Sequence, residues 1–73
     1  MATETVRAEI TGTVWKIVSQ PGQQLAEEDT ILIMESMKME IPVLAERAGT
    51  VAAVRVGEGD VVQEGDILVT IDL

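Results

Sequence analysis

The chain has 73 residues, a net charge of −8 and a sequence pI near 4.1, with no cysteine, no histidine and one aromatic residue, Trp15. This length builds one small domain at most, and the missing residue types exclude disulfides, thiolate or imidazole zinc sites, thiol nucleophiles and histidine general bases. The acidic balance argues against nucleic acid, whose affinity rests on Lys and Arg neutralising phosphates, and against an anionic membrane surface.

In chain order, Thr5 to Ile10 reads as an opening strand. Thr13 to Val18 is β-branched and aliphatic, as strands prefer. Pro21-Gly22 marks a turn, followed by a short strand around Leu25 and a polar connection from Ala26 to Asp29. Thr30 to Glu35 is the next strand, and Lys38 to Val43 is a further extended segment. Thr50 to Val56 is a strand, Gly57-Glu58-Gly59-Asp60 and Glu64-Gly65-Asp66 are turns, and Ile67 to Asp72 is the last strand. No N-terminal apolar stretch resembles a signal peptide, and the longest aliphatic run is Ile31 to Met34, so a cytoplasmic protein is expected.

Some of these elements repeat. A shift of 37 positions aligns residues 12–36 with residues 49–73 without a gap. Gly12-Thr13-Val14 meets Gly49-Thr50-Val51, and Gly22, Glu27 and Asp29 meet Gly59, Glu64 and Asp66. Two copies are too few for a solenoid and point to one domain with pseudo-twofold symmetry. The repeat also settles Ile31 to Glu40, whose Met, Glu, Leu and Lys content favours helix by propensity alone. Its partner, Ile67 to Ile71, is strand-like, and Pro42 limits any helix through the segment.

The expected core is the paired set Val14, Ile17, Leu25, Leu32 and Met34 with Val51, Val54, Val62, Val69 and Ile71. The expected fold is all-β, a flattened eight-stranded barrel or sandwich of two similar halves, as one domain over residues 1–73. The symmetry gives the acidic glycine turn at residues 57–60 a structural role, because it lies opposite Gln20-Pro21-Gly22-Gln23. No EF-hand ligand spacing is present, and no metal site is expected.

The most unusual local sequence is Met34-Glu35-Ser36-Met37-Lys38-Met39-Glu40, beyond the strand that ends the first copy. A strand followed at once by another extended segment reads as a hairpin, with Lys38 at or near its tip. A lysine in water is a charged ammonium at neutral pH, whereas a Schiff-base lysine needs a desolvated pocket. Lys38 therefore reads as the substrate of another enzyme. Met37 and Met39 beside it are flexible and polarizable, suited to several partners. No nucleophile–base pair or phosphate-cradling loop supports an independent enzyme.

Glu35-Ser36-Met37-Lys38-Met39, with Ala45, Gly49-Thr50-Val51 and the Gly59-Asp60 and Gly65-Asp66 turns, resembles the signature of the biotin/lipoyl attachment domain family. The resemblance runs from about Val6 to Leu73 and is closest to small stand-alone biotin carriers of the biotin carboxyl carrier type. It implies a non-catalytic carrier. A biotin protein ligase would join biotin covalently to Lys38, using ATP, with Glu35, Ser36, Met37 and Met39 flanking the site. The swinging biotin would then carry a carboxyl group from a biotin carboxylase to a carboxyltransferase, as in an acyl-CoA carboxylase. A monomer is expected, since the acidic surface opposes self-association.

Three departures qualify the resemblance. Ser36 stands where many biotin carriers have Ala, a small change. Glu40-Ile41-Pro42-Val43 resembles lipoyl domains, but those place Asp before the lysine and Ala after it, where this chain has Met37 and Met39. The gapless repeat also leaves no room for the protruding loop that some acetyl-CoA carboxylase carriers have in the first half. The alternatives are a lipoyl carrier and an unmodified barrel that acts as a binding module.

Overall fold

In a computed structural model, residues 2–73 are described, and they form eight strands and no helix. These are β1 (Thr3–Arg7), β2 (Gly12–Ile17), β3 (Gln24–Leu25), β4 (Thr30–Ser36), β5 (Met39–Leu44), β6 (Gly49–Val54), β7 (Val61–Val62) and β8 (Ile67–Asp72). They build two four-stranded antiparallel sheets, β1-β8-β6-β3 and β5-β4-β2-β7. The architecture is a sandwich rather than a closed barrel, elongated at 36 × 18 × 17 Å. The opening strand ends at Arg7, three residues short of the expected end. Ala8 instead pairs with the turn before β8, its N–H donating to Asp66 O at 2.9 Å.

The pseudo-twofold symmetry is more extensive than residues 12–36 and 49–73. β2 pairs with β4 through Thr13–Glu35, Val14–Met34, Lys16–Ile33 and Ile17–Leu32. β6 pairs with β8 through Thr50–Asp72, Val51–Ile71, Ala53–Thr70 and Val54–Val69, every residue shifted by 37 positions. Both ladders carry a bulge at the same place, at Trp15 in one and Ala52 in the other. The edge pairings obey the same shift: Val6–Val69 between β1 and β8 corresponds to Val43–Leu32 between β5 and β4. The repeat unit therefore runs from residue 2 to 36 and again from 39 to 73. Each sheet has a central pair of strands from one copy and both outer strands from the other. Neither copy has a complete sheet without its twin.

Local chemistry explains the turns. Asp29 Oδ2 accepts a hydrogen bond from Ala26 N at 2.8 Å, and Asp66 Oδ2 accepts from Gln63 N at 2.8 Å. These side-chain bonds shape both four-residue connections in the same way. Gly22 and Gly59 have φ of 88° and 92°, a conformation that glycine takes without steric cost. Their N–H groups donate to Val51 O and Val14 O, which ties each turn to the strand of the other copy.

The core holds eight of the ten expected residues: Val14, Leu25, Leu32, Met34, Val51, Val62, Val69 and Ile71. Ile17 and Val54 are half-buried and pack against it, because each ends its strand at the rim of the sandwich. Ala8, Ala45, Ile31 and Leu68 are buried as well. Bulges account for the last two: the β4–β5 register shifts at Ile31 and the β1–β8 register at Leu68. Two consecutive residues then face inward, which a period-two reading does not anticipate. Pro42 sits on an edge strand, where its missing N–H breaks no ladder within the sheet.

Candidate functional site

β4 and β5 form a hairpin whose last pair is Ser36–Met39, so the loop is the two residues Met37 and Lys38. Both have positive φ, 54° and 65°. This is the backbone of a type I′ turn, the geometry that matches the right-handed twist of the flanking strands. Asn and Gly are the usual occupants. For side chains such as Met and Lys the left-handed region costs roughly 1–2 kcal/mol per residue. The hairpin imposes that conformation through its pairing on both sides.

The hairpin is well anchored. Met34 and Leu32 of β4 point into the core opposite Ile41 and Val43 of β5. At its base, the half-buried Ser36 donates its hydroxyl to Thr11 O at 3.2 Å. A Cβ on Gly12 would lie 2.6 Å from Glu35 O and 3.3 Å from Ser36 Cβ, so only glycine lets β2 approach the hairpin base this closely. Thr11 and Gly12 are thus supports of the site that the local motif does not contain. Gly12 was visible only as one half of the repeat pair with Gly49.

Beyond this base the tip stands in water. Met37 is 90% exposed and Met39 61%, and Lys38, Glu35 and Glu40 are exposed as well. Among the described residues Lys38 forms no salt bridge. Glu35 and Glu40 face each other directly across the hairpin, a like-charge pair that weakly disfavours the ladder. The structure therefore brings Glu35, Ser36, Met37, Lys38 and Met39 together on one short projection. The amine lies at its end, and an acceptor lysine for an acyl group needs this accessibility.

Two interlocked copies of a β unit, with one lysine presented on the turn between them, define a carrier-type attachment domain. The chain belongs to the biotin/lipoyl family, whose model, described as "Biotin-requiring enzyme", matches residues 1–71. It is 50% identical over 68 residues to the "Biotinylated protein TB7.3 homolog" of Mycobacterium leprae, covering 93% of this chain and 96% of that one. Among solved structures it resembles the urea carboxylase of Kluyveromyces lactis, with a TM-score of 0.91 and 34% identity over 97% of this chain and 6% of that chain. It also resembles the lipoyl domain of the 2-oxoglutarate dehydrogenase complex of Azotobacter vinelandii, with a TM-score of 0.75 and 32% identity over 86% of this chain and 80% of that one. In the described residues no helix is long and apolar enough to cross a membrane.

Proposed function

We propose that the chain is a biotin carrier, non-catalytic itself, with biotin in amide linkage to Lys38 Nζ. The observation that carries this reading is the turn: an exposed lysine, with no salt bridge among the described residues, held in a left-handed conformation on a hairpin whose base is fixed to the core. A biotin protein ligase supplies ATP-driven activation of the biotin carboxyl group and takes the amine proton. The chain contributes an accessible amine and a rigid mount. When attached, biotin supplies a ring nitrogen that accepts a carboxyl group at a biotin carboxylase and releases it at a carboxyltransferase, here taken to belong to an acyl-CoA carboxylase. Tethering keeps that ring at high effective concentration near both sites. Glu35, Ser36, Met37 and Met39 are the residues a ligase meets around the lysine. The carrier acts as a cytoplasmic monomer, since a net charge of −8 on so small a body opposes self-association.

Two observations support the biotin reading over lipoate: Met on both sides of Lys38, and the similarity to a biotinylated protein along nearly its whole length. The lipoyl reading draws on the fold likeness to a lipoyl domain and on Glu40-Ile41-Pro42-Val43. Intact mass and peptide mapping after incubation with a biotin protein ligase, biotin and ATP decide between them, with a lipoate ligase and lipoate run in parallel. A biotin increment on the Lys38 peptide is the expected result. An increment only with lipoate moves the chain to the lipoyl carriers, and none with either leaves an unmodified binding module.

A further inference from the structure

The two copies of the repeat complete each other, and the chain joins them at one place. Four of the six strand pairings, β1–β8, β2–β7, β3–β6 and β4–β5, run between copies, and only β2–β4 and β6–β8 lie within one. None of the four requires its two strands to come from the same chain. What holds both copies in one molecule is the two-residue turn, Met37 and Lys38, between Ser36 of β4 and Met39 of β5. That link is also where backbone strain is concentrated. Inside the copies, among the described residues, positive φ falls on Gly22, Glu28, Gly59 and Gly65, so glycine carries it at three of four positions. The link has two consecutive residues with side chains, at φ 54° and 65°, both in a region that L-residues disfavour. The strain exists only while the chain turns back on itself. An extended link would return Met37 and Lys38 to the β region, where neither is strained. A short hinge loop under strain is the setting in which identical elements exchange between chains.

We propose that a second copy of this chain exchanges halves with the first: residues 2–36 of each pack with residues 39–73 of the other, and the Lys38 turn opens into an extended hinge that withholds the lysine from acylation. Only the effect on acylation rests on the carrier reading above. The exchange keeps every pairing between copies and the whole core, and it releases two strained residues in each chain. Charge opposes it, since each chain carries −8. Two extended hinge residues also set the hairpin bases of the two lobes only about 10 Å apart, each with its Glu35–Glu40 pair. Salt screens this repulsion, so exchange is favoured by concentration and ionic strength, and dilute chains at low salt stay monomeric. The same narrow gap leaves no room for an enzyme to enclose either lysine, whereas the monomer presents Lys38 on a free tip. The monomer is therefore the accepting form, and the turn that offers the lysine is also the hinge that removes it.

The test is refolding of the whole chain from urea at about 1 mM chain and about 0.5 M NaCl, followed by separation of monomer and dimer by gel filtration. Wild type is expected to yield dimer. Met37→Asn with Lys38→Gly installs the residues a type I′ turn favours, and its dimer yield should fall at least about ten-fold. No dimer from wild type, or an equal yield from the double variant, overturns the proposal. Glu35→Cys and Glu40→Cys, introduced together in a chain that has no other cysteine, report how the dimer is joined. Both positions are exposed and face each other across the hairpin, so their disulfide ties β4 to β5. In an exchanged dimer that bond links two chains, and the dimer survives a non-reducing denaturing gel. A dimer made by surface contact gives single chains on the gel and overturns the exchange. Should the cysteine pair disturb folding, the wild-type dimer is diluted instead. An exchanged dimer separates no faster than the chain unfolds, and faster separation overturns the proposal. Finally, isolated monomer and dimer are given a biotin protein ligase, biotin and ATP. The dimer is expected to take biotin at less than about one-fifth of the monomer rate, and equal rates overturn the withholding of the lysine. A monomer that takes no biotin on Lys38 overturns the carrier reading instead, and the gel still decides the exchange.

Discussion

The two copies of the repeat are alike in strands, bulges and turns, and they differ where each copy ends. After Ser36, β4 passes through Met37 and Lys38 into Met39 of β5. At the matching place in the second copy, Leu73 N donates to Ala2 O at 3.0 Å, so the same pairing is made with no connecting turn between the two residues. The scaffold is built twice, and Lys38 lies on the turn that joins the two copies. Core and proposed site are therefore expected to be separable: away from the hairpin base, changes to the paired scaffold should act on stability, and changes to the turn on the proposed acylation.

The sharpest test of that separation is Lys38→Arg. It is expected to abolish acyl attachment, read by intact mass, while the unfolding free energy changes by less than about 0.5 kcal/mol, as for an exposed site. A large loss of stability would mean that the turn residue also supports the fold, and the separation would fail. The next largest effect tests the equivalence of the two copies. Met34 and Ile71 are twins and both are essentially fully buried. Truncation of either to Ala is expected to cost roughly 2–5 kcal/mol in urea denaturation. Met34→Ala and Ile71→Ala should fall within that same range, and a neutral result at either would remove that copy's residue from the common core.

A third pair of variants distinguishes the two copies. An added Cβ at Gly49 would lie 2.6 Å from Ile71 Cγ2 and 2.7 Å from Asp72 O, whereas at Gly12 it would lie 2.6 Å from Glu35 O and otherwise no closer than 3.3 Å. Gly49→Ala and Gly12→Ala are each expected to destabilise by about 1–3 kcal/mol through this overpacking, with Gly49→Ala the worse. Gly12→Ala presses on the base of the lysine hairpin, so it alone should also slow modification. Thermal melts and a biotinylation time course on the two variants check this; equal modification rates would show that the hairpin base tolerates the shift.

These same features mark the limits of what the amino-acid sequence discloses. The repeat over 12–36 and 49–73 was readable because the loops match in length and in their Gly and Asp positions. Its continuation into β1 and β5 is fainter: Val6, Ala8 and Glu9 match Val43, Ala45 and Glu46, but Thr3-Glu4-Thr5 and Glu40-Ile41-Pro42 share no residue at equivalent positions. The lysine's place near a hairpin tip was readable from two adjacent extended segments. The type I′ geometry was not, since Met-Lys lacks the Asn-Gly chemistry that announces such a turn. Ile31 and Leu68 escaped the expected core for a related reason: a bulge reverses the inward–outward alternation, and nothing in an aliphatic run signals where a bulge falls.

The smallest expected effect concerns one residue at which the copies differ without any difference in backbone. Glu28 has φ of 74°, and its twin is Gly65, at 93°. Both donate their N–H to the carbonyl of an alanine, Ala45 at 2.7 Å and Ala8 at 2.8 Å, so neither can leave the left-handed region without breaking that bond. A glutamate there is strained by roughly 1–2 kcal/mol, while glycine gives back about 0.5–1 kcal/mol through the greater freedom of its unfolded chain. The difference leaves Glu28→Gly stabilising by up to about 1.5 kcal/mol. The reverse change, Gly65→Glu, should destabilise by a similar amount, because space is not limiting: nothing lies within 4 Å of a Cβ built on Gly65. Backbone strain predicts opposite signs of comparable size in paired urea titrations, and the same sign in both would exclude it. Charge predicts the same two signs, since both positions lie on an already acidic surface, and Glu28→Gly removes a negative charge where Gly65→Glu adds one. Separating the two requires Glu28→Ala, which removes the charge and keeps the strained Cβ. If strain governs, that variant stays close to the wild type, and only glycine gains stability.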